Sequence, residues 1–373
     1  MVTSLCVLIL EVVLLSSVHA FPPILYEGDV CKLGRDRKGL CKPLTQCEPA
    51  LQQLRTSGIK PFHCSFKGFE EVVCCDDEMS QNLRRSEFAC REYANELPLR
   101  VEPFIRNGRN ADLGDYPHMA ALGYMDPSEP SQIAWNCGGT LISDRYVLTA
   151  AHCVVPTTRT KPPVQVMLGA VNLNEPGFMA EKYHVKRWVQ HPDYTSATVY
   201  NDIALIELDR KVQFSDDIQP ACLYTASDIP QYKLEISGWG STSSSGSRKS
   251  NILQHSTLSL VPNDKCNESY TLQKKVNKGI QDIMICAGDP QGMNDTCNGD
   301  SGGPLQVKTT ESNAYFIVGI TSYGPSVCGG STPGIYTRVN KYLDWIESII
   351  WKKCINMKIH YKKFRNNVKD NKT

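Results

Sequence analysis

A serine hydroxyl becomes a nucleophile only when a base takes its proton and a third group holds that base in place. Three short segments of this 373-residue chain carry such groups: Thr149-Ala150-Ala151-His152-Cys153, Asn201-Asp202-Ile203-Ala204-Leu205 and Gly299-Asp300-Ser301-Gly302-Gly303-Pro304. Each has an ordinary reading by itself. A histidine among small residues is commonly packed or solvated, an aspartate before an apolar run can merely end a strand, and Gly-Asp-Ser-Gly often marks a turn. Together His152, Asp202 and Ser301 supply the base, its orienting carboxylate and the nucleophile, in that chain order. Glycines flanking Ser301 let backbone N–H groups approach a developing oxyanion with no Cβ in the way.

The rest of the chain must fold around these groups. Apolar residues make up 41% and charged residues 21%, enough to bury a core. A net charge of +1 excludes the basic excess of a dedicated nucleic-acid binder. The charge is uneven, with eight Lys/Arg and one Asp between Lys352 and Thr373. That tail reads most simply as a solvated end, with an acidic polysaccharide or membrane surface as the alternative partner. Sixteen cysteines point to an oxidising compartment. The apolar run Leu5–Leu15, followed by Ser16-Ser17-Val18-His19-Ala20, reads as a signal peptide over 1–20, although no Lys or Arg precedes it and Glu11 interrupts it. It is shorter than the roughly 20 residues of a membrane span. The expected product is secreted and extracellular, without a membrane anchor.

Cysteine spacing divides what remains. Cys31, Cys41, Cys47, Cys64, Cys74 and Cys75 fall within 45 residues with little apolar material between them, the pattern of a disulfide-stapled module over 28–76. Cys74 and Cys75 are neighbours, so each should reach a different partner. No Cys-x-x-Cys pair or Cys/His cluster suggests a metal there. Residues 76–103 are charged and aperiodic, which suits an exposed linker. Beyond them come short candidate strands: Met119–Tyr124, Val164–Leu168, Tyr183–Val189, Ile203–Leu208, Leu253–Leu260, Tyr315–Ser322 and Ile335–Val339. Many short strands between Gly/Pro turns predict an antiparallel all-β sandwich or barrel. Over Lys341–Trp351, Leu343, Ile346 and Ile350 fall at helical spacing behind Asn340 as N-cap. Ser241–Ser250 reads as a flexible Ser-rich loop.

The His, Asp, Ser order is that of the chymotrypsin-like arrangement. With Cys137-Gly138-Gly139, Gly238-Trp239-Gly240 and Pro333-Gly334-Ile335-Tyr336, residues 105–351 resemble a chymotrypsin-family serine protease domain. The N-terminal module resembles a clip domain, so the chain resembles an arthropod clip-domain serine protease. Tyr116-Pro117-His118-Met119-Ala120-Ala121-Leu122-Gly123-Tyr124 nearly reproduces a stretch typical of the snake-like branch. The resemblance implies two six-stranded antiparallel β-barrels with a C-terminal helix, and an active site between the barrels. The implied organisation is signal 1–20, clip 28–76, linker and activation segment 77–104, protease 105–351 and basic tail 352–373.

The same resemblance implies residue roles. Gly299 and Ser301 would donate to the oxyanion, and Ser322 would complete the hydrogen bonding around Asp202. Asp295, six residues before Ser301, would sit at the floor of a pocket walled by Gly324 and Gly334, selecting Arg or Lys. Asn298 stands where many relatives carry Gln and would touch only the pocket rim. The implied disulfides are Cys31–Cys74, Cys41–Cys64, Cys47–Cys75, Cys90–Cys222, Cys137–Cys153, Cys266–Cys286 and Cys297–Cys328. Cys354 then lacks an evident partner and is a free thiol or an intermolecular link. Of the sequons at Asn267, Asn294 and Asn371, Asn267 is the expected glycosylation site, since Asn294 overlaps the pocket. Ala170 stands where a calcium ligand usually falls, so no metal and no cofactor is expected. Implied partners are protein substrates such as other zymogens, an upstream activating protease and serpin-type inhibitors.

Activation departs from the family pattern. Counting back from Pro117 puts the new N-terminus at Ile105, behind Phe104 rather than a basic residue. Its α-ammonium would pair with Asp300, and the cut would require a chymotrypsin-like activator. The competing implication is a catalytically impaired homologue serving as a binding cofactor.

Overall fold

Cystine, more than apolar packing, holds the N-terminal unit together. The computed structural model describes residues 25–33, 38–57, 60–76, 84–96, 110–126, 128–129, 131–157, 161–229, 234–241, 249–289, 299–308, 314–324, 330 and 332–351. They fall into two units, Met1–Gln81 and Asn82–Thr373. In the first, β1 (Val30–Lys32), β2 (Lys38–Pro43), α1 (Glu48–Ser57), β3 (His63–Lys67) and β4 (Glu70–Cys75) follow one another. The strands pair antiparallel in the order β1-β2-β4-β3. Cys31–Cys74, Cys41–Cys64 and Cys47–Cys75 are bonded inside this sheet and between it and the start of α1. Adjacent strand residues point to opposite faces, so Cys74 and Cys75 reach different partners.

The first described element of the second unit is a helix. Residues Arg85–Glu96 form α2 and bury Ser86 and Ala89. Cys90 is bonded to Cys222, and Ser86 Oγ donates to Glu347 Oε1 at 2.7 Å. This corrects the expectation of an exposed linker over the whole segment. Besides Ala89, Tyr93 docks the helix, its ring edge-on to Phe214 with centroids 5.4 Å apart.

Six strands then close a first barrel: β5 (Met119–Met125), β6 (Ile133–Leu141), β7 (Tyr146–Thr149), β8 (Gln165–Leu168), β9 (Glu181–Gln190) and β10 (Ala204–Leu208). Their order is β10-β7-β6-β5-β8-β9, antiparallel throughout. Leu122, Leu148, Val166, Leu205 and Ile206 are buried in the core that packs against both faces of the barrel's strands. Each such side chain contributes about 1.5–3 kcal/mol through burial.

After the two-residue β11 (Cys222–Leu223), six more strands follow: β12 (Leu234–Gly238), β13 (Gln254–Val261), β14 (Met284–Gly288), β15 (Pro304–Lys308), β16 (Tyr315–Tyr323) and β17 (Gly334–Arg338). The pairing β16–β17 closes them into a second antiparallel barrel, and β11 adds to β16 in parallel. The architecture is the two six-stranded barrels that the resemblance implies. His118, fully buried where the barrels meet, bonds Gln306 Oε1 at 2.6 Å. Burial drives its pKa down to about 4, which keeps it neutral.

Two short helices lie between strands, α3 (Ala151–Val154), which carries His152, and α4 (Asn263–Tyr270), and the last helix is α5 (Leu343–Ile350). Asn340 does not cap α5. A 3-10 turn over Val339–Tyr342 delays the helix, and the Asn340 amide donates instead to Ala226 O at 2.6 Å. Leu343 and Ile346 are buried as their spacing predicts. Among the described residues no helix is long and apolar enough to cross a membrane.

Candidate active site

His152 lies in α3, directly after the end of β7, so its position follows from the first barrel. Asp202 precedes β10 and is 3% exposed. Its approach needs an unusual backbone: Asn201 has φ +55°, the left-handed region that asparagine tolerates better than most residues. The Asn201 side chain is held by Tyr342 Oη, which donates to its Oδ1 at 3.0 Å. A sequence reader sees Asn-Asp. The physical reason for the Asn is this turn.

One carboxylate organises the site. Asp202 Oδ1 accepts from the His152 backbone N at 2.9 Å, and Oδ2 meets His152 Nδ1 at 2.7 Å. Ser322 Oγ donates to the same Oδ2 at 2.6 Å. Burial opposes charge on both partners, but their mutual attraction and the hydrogen bonds more than offset it. The imidazole is therefore held above its ordinary pKa and the carboxyl below its own. The arrangement leaves Nε2 as the ring nitrogen free to accept a proton.

Ser301 sits in the turn between Gly299 and Pro304, and its carbonyl accepts from Gly138 N at 2.8 Å. Gly299 and Gly302 have φ of +109° and +78°. At Gly302 a Cβ would collide with Thr149 Oγ1 and stand 2.6 Å from Gly138 O. Asp300 turns the other way, and its Oδ1 accepts from Gly240 N at 2.8 Å. A Cβ on either Gly238 or Gly240 would overlap that carboxylate. Gly-Trp-Gly is thus the cradle for the acid next to Ser301, a role sequence reading did not assign. Trp239 anchors the cradle through Nε1 to Val171 O at 2.9 Å.

Gly324 follows β16 beside Ser322, and a Cβ there would meet no atom of the described residues within 4 Å. Gly334 begins β17 opposite Ala287. Asp295, Asn294, Asn298, Cys297 and Cys328 lie outside the described residues, as do Phe104, Ile105, Cys354 and the segments 1–20 and 352–373. Cys137–Cys153 and Cys266–Cys286 are bonded, the first bridging β6 to α3. Asn267 lies in α4, half-buried, with Oδ1 accepting from Ile280 N at 2.6 Å. Among the described residues, two groups of potential metal ligands, Cys31/Cys41/Cys64 and Cys137/His152/Cys153, are built on disulfide sulfurs, which offer no thiolate.

Residues 105–346 match the family model described as Trypsin. Serine protease snk of Drosophila melanogaster is 38% identical over 350 residues, covering 88% of this chain and 80% of the relative. Venom serine protease Bi-VSP of Bombus ignitus is 32% identical, covering 84% and 90%. CLIP domain-containing serine protease C9 of Anopheles gambiae is 32% identical, covering 87% and 86%. With the two barrels and the site between them, these matches show that the chain belongs to the trypsin family of serine proteases, among the clip-domain proteases of arthropods.

Proposed function

We propose that the protein is a secreted serine endopeptidase, made as a zymogen, that cuts after Arg or Lys in an extracellular proteolytic cascade or in venom. The observation that carries this reading is the continuous line Ser322–Asp202–His152 beside the Ser301 turn. Ser301 Oγ attacks the scissile carbonyl while His152 Nε2 takes its proton. The imidazolium so formed is stabilised by Asp202 and hands the proton to the leaving amine. Water repeats the sequence to free the acyl group. The N–H groups of Gly299 and Ser301 receive the oxyanion, a contribution of roughly 2.7–4 kcal/mol per donor.

Basic specificity rests on Asp295 at the pocket floor, with Gly324 and Gly334 leaving space for a long side chain. The clearance around Gly324 among the described residues supports it. Activation is by cleavage between Phe104 and Ile105, after which the Ile105 α-ammonium pairs with Asp300. The family match beginning at residue 105 supports that boundary. Protein substrates, an upstream protease of chymotrypsin-like preference and serpin-type inhibitors are the partners, and Asn267 carries the glycan. The Bombus relative's name supports the venom alternative.

An active-site serine probe tests the reading. The cleaved protein should label at Ser301, Ser301→Ala should not, and Arg-ended peptides should be hydrolysed far faster than Phe-ended ones. An unlabelled cleaved protein sinks the enzyme reading and favours the impaired homologue. N-terminal sequencing of the active heavy chain should read Ile105, and a start at Val101 or Asn107 refutes the proposed cut.

A further inference from the structure

The end of β16 is an open edge that begins at the triad. β15 pairs with β16 only up to Pro304↔Ile320. The next residue, Thr321, is bonded to Gly302 and Gly303 of the nucleophile turn. On that side no described strand pairs with Ser322, Tyr323 or Gly324, while the other side is held by β17. A substrate segment that brings its carbonyl to Ser301 can add here as an extra strand, with main-chain bonds for affinity and side-chain contacts for selectivity.

The wall beside this edge is basic. From Tyr270 to Ile280 the chain holds Lys274, Lys275 and Lys278 and no acid. All three are exposed, and among the described ion pairs none uses them. Lys275 Nζ lies over the ring of Tyr323, a residue of this edge, 5.8 Å from its centroid. Its position is tied to the triad: Val199 N donates to Lys275 O at 3.2 Å, and Lys278 N donates to Tyr200 Oη at 2.7 Å, just ahead of Asp202. The Lys275 charge is also felt at His152, where it opposes the imidazolium. An ammonium that enters none of the described ion pairs, held over the ring of Tyr323 on this edge, favours an acidic side chain on a peptide that adds there.

We infer that Lys275 is a specificity-determining residue that selects substrates carrying Asp or Glu within a few positions N-terminal to the cleaved residue. The inference rests on the proposed peptidase activity and adds the chemical class of the sequence ahead of the scissile bond. The pairing is solvent-exposed, so the expected preference is about threefold per acidic residue.

The test uses activated full-length enzyme and synthetic peptides with a constant Arg at the cleaved position and Glu, Ala or Lys at the second, third or fourth residue upstream. The expected order of kcat/KM is Glu, Ala, Lys at one or more positions. Lys275→Ala should flatten that order and Lys275→Glu should invert it. The preference should also shrink in about 1 M salt, where the screening length is about 3 Å. Thermal unfolding of both variants checks that they fold, as expected for an exposed side chain. An enzyme that cleaves all the peptides without regard to these positions, or a Lys275→Glu enzyme that still prefers Glu, overturns the inference alone. Absence of both cleavage and serine-probe labelling overturns the peptidase reading as well, so the two failures are distinguishable.

Discussion

Gly302→Ala should be among the most damaging single-methyl changes in the protein. Alanine at φ +78° adopts a left-handed backbone, which costs about 1–2 kcal/mol. Its Cβ would also be driven into Thr149 Oγ1 and Gly138 O. Neither can move aside cheaply. Thr149 is fully buried with its hydroxyl donating to Gly138 O at 2.8 Å, and Gly138 is bonded to Ser301. Overpacking of this kind costs about 1–3 kcal/mol, which makes the total roughly 2–5 kcal/mol. For a domain of this size that is a fall of about 4–20 °C in the unfolding temperature. Gly324→Ala is the matched control, because its Cβ would meet no atom of the described residues within 4 Å and the change should stay within about 0.5 kcal/mol. Scanning fluorimetry of the uncut chains reads both variants, and serine-probe labelling after activation reads the site. Gly302→Ala melting within about 1 °C of the parent, or Gly324→Ala melting as low as Gly302→Ala, would refute this account of the turn.

Three further outcomes are expected. Ser322→Ala removes a donor to the buried Asp202 carboxylate, a bond worth about 1.5–3 kcal/mol, so the uncut chain should melt lower and the acid limb of the activated enzyme's pH profile should move to higher pH; an unmoved profile with unchanged melting contradicts it. His152, with its pKa raised above 6.5, contributes stability fully below pH 6.5 and loses it as pH rises through the folded value. Asp202, lowered below 3.8, contributes above pH 3.8 and loses it as pH falls through its folded value. The melting deficit of uncut His152→Gln should therefore be largest between pH 3.8 and 6.5 and smaller at alkaline pH, and a deficit that grows from pH 6.5 upward is the contrary result. Finally, Glu347 accepts from Ser86 Oγ and from Arg84 Nε at 3.1 Å, so α2 is held by more than Cys90–Cys222. After activation and reduction without denaturant, the N-terminal chain should stay bound on size exclusion and Glu347→Gln should loosen it; release from the parent protein on reduction alone contradicts this.

The chemistry-bearing residues were readable because they sit in short segments whose backbone demands are local. Gly299–Pro304 must turn sharply with glycines at positive φ, and Asn201-Asp202 must pass through a left-handed residue. Each demand leaves a compact signature of Gly, Asn and the reacting group. The two-barrel expectation came from the family resemblance carried by these segments, while strand spacing alone left sandwich and barrel open. Other features became visible only when distant parts of the chain met. Ser86 and Glu347 are separated by 261 positions, so no local pattern marks residues 85–96 as a docked helix. The cradle function of Gly238 and Gly240 exists only because Asp300 folds back onto them from 60 positions away. Lys275 reads as an ordinary surface lysine until the loop bearing it is bonded to Val199 and set over Tyr323. Side-chain type and local turn geometry are written in neighbouring residues. Which charge comes to lie over which ring, and which acid must be accommodated by a missing Cβ, depend on contacts between segments that sequence order keeps apart.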